Sequence, residues 1–79
     1  MKHKYNYTVC KDNNPREFRL ACDLIEKNNK VEKKRLAVDV DGSTIQAYSI
    51  NGKEVVVFDD YDVGAVFVES DINLSDLFN

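Results

Sequence analysis

The sequence is poor in the residues that announce a chemistry. Its 79 residues include one histidine, no tryptophan, two cysteines, one proline and three glycines. His3 is the sole imidazole and stands between Lys2 and Lys4, so no Ser/His/Asp or Cys/His set can be assembled and a solvated ring is expected. The glycines are scattered at 42, 52 and 64, which excludes a glycine-rich phosphate loop. Cys10 and Cys22 are too few for a disulfide framework and lack zinc-site neighbours, so they read as reduced thiols packed like small apolar groups. No apolar run exceeds four residues, which excludes a membrane-spanning helix. Residues 1–7 lack the apolar stretch of a secretion signal. A cytoplasmic protein without catalytic residues, cofactor or metal is therefore expected.

Charge of one sign is nearly absent from the second half. Residues 1–35 carry ten Lys/Arg against five Asp/Glu, a balance of +5. Residues 36–79 carry Lys53 against nine Asp/Glu, a balance of −8, and the two add to the net −3. Such asymmetry bears on partners and steering rather than on fold. The apolar content of 43% is that of a globular chain rather than a disordered one. At this length one domain is expected over residues 1–79, burying only about 60% of its extended-chain surface.

Periodicity gives an α+β outline. Residues 3–10 alternate His3, Tyr5, Tyr7 and Val9 with polar neighbours, as a strand with one wet face does. Asn14, Pro15 and Glu17 form a helix start, and Phe18, Ala21, Cys22 and Ile25 recur at helical spacing, which predicts a helix over 15–28. A polar connector, 30–35, precedes a second strand over 36–41 in which Leu36, Val38 and Val40 alternate with acids. Asp41-Gly42 and Asn51-Gly52 mark tight hairpins around a third strand, 44–50. A fourth strand is expected at 53–58 and a fifth at 63–68, with a helical turn within 70–79. The result is β-α-β-β-β-β: a mostly antiparallel sheet of about five strands with one helix on one face. Strands four and five are apolar at consecutive positions, hence on both faces. The face opposite the helix must then close on itself, form a homodimer or meet a partner, as in an accessory subunit of a larger assembly.

Residues 36–44, with Asp39-Val40-Asp41-Gly42 after an apolar run, resemble the nucleophile motif of haloacid-dehalogenase-type phosphatases. The resemblance implies Asp39 as nucleophile, Asp41 as acid/base and magnesium at the phosphate. The chain departs from that family in size, in offering only Lys53 downstream, and in placing Asp-Gly between two strand-like runs where a hairpin explains it. Asp39, Asp41, Asp59, Asp60 and Asp62 are also hard cation ligands, but the calcium-loop spacing is missing, and solvated carboxylates at turns are expected instead.

Two binding surfaces remain. Asp59, Asp60, Tyr61 and Asp62, with Asp39, Asp41 and Glu69, form an acidic surface that would speed encounter with a basic protein, Tyr61 serving as anchor. In size, charge and lack of catalytic groups the chain is similar in type, not in sequence, to phage-encoded anti-CRISPR and anti-restriction inhibitors and to antitoxins. The expected function is a non-catalytic inhibitor-like module for a nucleic-acid-handling enzyme. The alternative is a small nucleic-acid-binding domain using Arg16, Arg19, Lys30, Lys33, Lys34 and Arg35, against which stand the interleaved acids and a pI near 5.0.

Overall fold

The computed structural model describes residues 3–78. In chain order the elements are β1 (Tyr5–Cys10), α1 (Pro15–Asn28), β2 (Glu32–Lys33), β3 (Ala37–Val38), β4 (Thr44–Ile50), β5 (Lys53–Asp60), β6 (Ala65–Ser70) and α2 (Ser75–Phe78). Every strand pairing is antiparallel, in the order β1-β6-β5-β4-β2, with β3 also on the outer side of β4. The α+β outline expected above is the fold.

Local chemistry sets the boundaries. The Asn14 carboxamide oxygen accepts from the amides of Arg16 and Glu17 at 3.1 and 3.2 Å, capping α1, with Pro15 as its first residue. At the far end the Asn28 and Asn29 side chains donate to the carbonyls of Leu24 and Ile25 in the last turn. Asn51 and Gly52 both take positive φ (53° and 80°), the two-residue turn that joins β4 to β5 with Ile50 opposite Lys53. The other turn is longer. Asp39 and Ser43 face each other across Val40-Asp41-Gly42, closed by Gly42 N–H to Asp39 O at 3.0 Å, with Gly42 at φ 91°.

One sheet face is covered. Tyr48, Ile50, Val55, Val57 and Val68 are buried against Ala21, Cys22 and Ile25 of α1, with Leu74 beside them. Tyr7 ties α2 in place: its hydroxyl accepts from the Leu74 amide at 2.8 Å and donates to Asn73 at 3.3 Å. The opposite face carries Ile45, Phe58 and Phe67 in one row across β4, β5 and β6, the two phenyl rings stacked at 4.8 Å. Among the described residues the sheet stays open, because β1 pairs only with β6 and β2 only with β4.

The structure corrects several of the expected strand bounds. The connector 30–35 holds a strand: Glu32 and Lys33 pair with Ser49 and Tyr48, and the Lys34 amide donates to Ala47 O at 2.9 Å. The second strand, expected over 36–41, is only Ala37–Val38, because Arg35 and Leu36 together oppose the single residue Gln46. That β-bulge flips the alternation, and the Gln46 amide donates to Lys34 O at 2.6 Å to fill the gap. Leu36, Val38 and Val40 are exposed, the last in the hairpin turn. The fifth strand begins at Ala65, leaving Val63 in the preceding turn, while β5 runs two residues further than expected, to Asp60.

Candidate interaction surface

The hairpin turns 39–43 and 60–64 lie side by side at one end of the sheet, because Thr44 pairs with Asp59. Ser43 locks them together. Its buried hydroxyl oxygen accepts from the Tyr61 amide at 2.8 Å, and the same residue's backbone amide donates to Asp41 at 2.9 Å. The Tyr61 ring lies over Gly42: a Cβ there would sit 3.5 Å from the ring edge. No sequence feature pointed to Ser43; its contact spans eighteen positions and depends on register alone.

Asp39, Asp41 and Asp62 are exposed on these turns and Asp60 is half-buried. Three of these carboxylates, those of Asp39, Asp41 and Asp60, stiffen their own loops. Asp39 accepts from the Val40 amide at 2.8 Å, and Asp60 accepts from the amides of Asp62 and Val63 at 2.9 and 3.1 Å. The backbone and hydroxyl of Ser43 hold the Asp41 carboxyl below its ordinary range. Among the described residues the ion pairs are His3–Glu54, His3–Glu69 and Lys33–Glu26, so none of these four aspartates faces a cation within 4.0 Å. Between them stand Tyr61, 49% exposed, Val63, 65% exposed, and Val40, fully exposed.

Two residues assigned to this surface from the sequence lie elsewhere. Asp59 is 2% exposed and accepts from the Asn13 side chain at 2.9 Å, which also donates to Asp60 O. It faces the same side as Val55 and Val57 and fastens the 11–14 loop to the sheet rather than meeting solvent. Glu69 lies beyond Phe67 on the open face, toward the other end of β6. There His3 bridges Glu69 (Nδ1, 3.1 Å) and Glu54 (Nε2, 2.9 Å). This corrects the expected solvated histidine, since the ring's side chain is only 9% exposed. The Glu54 hydrogen bond, opposed by burial and reinforced by Glu69, raises the His3 pKa above its usual value.

The basic residues are spread rather than gathered. Arg16 and Lys30 lie near opposite ends of α1, whereas Arg19, Lys33 and Lys34 line a groove of about 330 Å³ between α1 and the β2–β4 edge. Asp23 and Glu26 share that groove. Glu26 takes both the Lys33 ammonium at 3.2 Å and the buried Tyr48 hydroxyl at 2.5 Å on one oxygen. The tyrosine hydrogen bond chiefly pulls the Glu26 pKa down, while burial, then Glu26, push that of Tyr48 up.

Among the described residues no three His, Cys, Asp or Glu side chains converge as metal ligands do. Asp39 and Asp41 sit on a hairpin of an antiparallel sheet, not at the end of the parallel strand that the phosphatase resemblance implies. No described helix is long and apolar enough to cross a membrane. No family model, curated protein or solved structure matches the chain.

Proposed function

We propose that the chain is a non-catalytic interaction module that docks its acidic turn end onto the basic surface of another protein. Asp60, Tyr61 and Asp62 form the centre, with Asp39 and Asp41 alongside. One observation carries the reading: two hairpin turns, locked by Ser43, hold four aspartates with no cation partner among the described residues around exposed Tyr61, Val40 and Val63. Unpaired charge steers encounter, and the apolar groups between the charges supply area to desolvate. Basic protein surfaces are typical of enzymes that handle nucleic acids, so the class of partner is such an enzyme and the role is that of a phage- or mobile-element-type inhibitor. Nucleic acid on Arg19, Lys33 and Lys34 takes second place, because Asp23 and Glu26 line the same groove.

The test is affinity capture from nuclease-treated lysate on the unmodified protein and on an Asp60→Asn/Asp62→Asn variant. Asparagine keeps the oxygen that caps the turn while removing the charge. A discrete basic protein retained by the first and lost from the second is the expected result. Equal retention by both, or capture of nucleic acid alone in an undigested lysate, would refute the reading.

A further inference from the structure

The groove between α1 and the β2–β4 edge has Phe18 and Leu36 on its sides and the buried Cys22 and Tyr48 beneath. Its volume of about 330 Å³ falls at the lower end of sites that take small ligands. Leu36 stands there because of the bulge. Lys33 reaches Glu26 on α1, so strict alternation from Lys33 would send Leu36 to the far face of the sheet. The extra residue opposite Gln46 turns it back to the helix side, where it lines the groove and is 50% exposed. Bulges re-aim side chains in this way beside functional sites.

Several polar groups around the groove are already engaged. Lys33 and Tyr48 share the Glu26 carboxylate, and the Gln46 amide nitrogen donates to the carbonyls of Lys34 and Ala47. Three groups are left over. The Gln46 side-chain oxygen accepts nothing among the described residues, although the residue is only 3% exposed. No buried side-chain nitrogen or oxygen among the described residues lacks a partner, so this oxygen opens to solvent, and the groove is the opening that Gln46 lines. Arg19 and Asp23 stand exposed on successive turns of α1 at the rim, and neither belongs to an ion pair among the described residues.

The free set is one guanidinium, one carboxylate and one neutral acceptor around an apolar centre. We infer that the groove binds a zwitterion of amino-acid size, a free α-amino acid with an apolar side chain. Its carboxylate pairs with Arg19, its ammonium donates to the Gln46 oxygen and faces Asp23, and its side chain lies between Phe18 and Leu36. A simple anion, a nucleic-acid phosphate included, would be repelled by Asp23 and leave the Gln46 oxygen unmatched. A simple cation would meet Arg19 in the same way. The inference goes beyond the acidic turn end and stands whether or not that end docks a partner.

Titration of the isotope-labelled full chain with L-leucine and with L-phenylalanine, followed by NMR, is the test. Saturable shifts are expected at the Gln46 side-chain amide and at the backbone amides of Cys22 and Leu36. Isoamylamine and isocaproate keep the leucine skeleton but lack its carboxylate and its ammonium respectively. Each should bind about tenfold or more weakly than leucine, the effect of losing one hydrogen bond to a charged group. Arg19→Gln and Asp23→Asn, both at exposed positions, should leave the rest of the spectrum in place and weaken leucine by a similar factor. Absence of saturable shifts at Gln46 and Leu36 with either amino acid, up to its solubility, would overturn the inference. So would binding of either analogue as tight as that of leucine, or an Arg19→Gln chain that binds leucine unchanged.

Discussion

Replacing Tyr48 by phenylalanine removes one oxygen from a polar contact at the rim of the core. Tyr48 is fully buried, and its hydroxyl donates to Glu26 at 2.5 Å. A hydrogen bond to a charged group contributes about 1.5–3 kcal/mol when both partners are shielded. Glu26 is only partly shielded, since its side chain is 33% exposed and Lys33 also reaches the same oxygen at 3.2 Å. Water can replace the lost donor, so the low end applies: about 1.5 kcal/mol at neutral pH. For a domain of this size that lowers the thermal midpoint by about 6–12 °C. Chemical denaturation of both forms, followed by circular dichroism, measures the difference. The pH dependence fixes its origin. The folded pKa of Glu26 lies below its ordinary 4.5 because the carboxylate is the preferred acceptor. Its contribution is present above about pH 4.5 and is lost as pH falls through the lowered folded value. The gap between the two proteins should therefore narrow in acid. A phenylalanine variant as stable as the original at pH 7, or a gap that widens in acid, would refute this account of the Tyr48–Glu26 contact.

Ser43→Ala should cost about 1 kcal/mol, because the Tyr61 amide loses a buried acceptor, and hydrogen exchange at Tyr61 should quicken. His3 bridges two carboxylates, and only the doubly protonated ring can donate to both. Its folded pKa is raised, so this contribution is full below about pH 6.5 and disappears as pH rises through the folded value. The thermal midpoint of the unmodified protein, relative to His3→Gln, should fall over that interval; a difference that grows with pH would contradict the bridge.

The legible parts of the fold were those coded by neighbours in sequence. Asn14-Pro15 followed by apolar residues at helical spacing located α1, and Asn51-Gly52 located its hairpin, because caps and positive φ are properties of one or two residues. Glu32 and Lys33 have no apolar signature, and only pairing with β4 makes them a strand. Leu36, Val38 and Val40 alternate as a half-buried strand does, yet only Ala37 and Val38 pair with β4, Val40 falls in the hairpin turn, and the three apolar side chains are exposed. For the candidate surface, Asp39, Asp41, Asp60, Tyr61 and Asp62 were readable as acids and an aromatic at turns. Asp59 carried a usable signal that charge obscured: its parity with Val55 and Val57 places it on the core face. Ser43 and His3 gave none, since their partners lie eighteen and more than fifty positions away.

The most direct test of the acidic turn end as a contact surface is carboxylate and tyrosine footprinting of the captured complex against the free protein. The account expects Asp60, Tyr61 and Asp62 to lose reactivity on binding, while Asp76 and Glu54, away from the turns, keep theirs. Unchanged labelling at 60–62 alongside protection at Asp76 or Glu54 would place the partner elsewhere and contradict the claim.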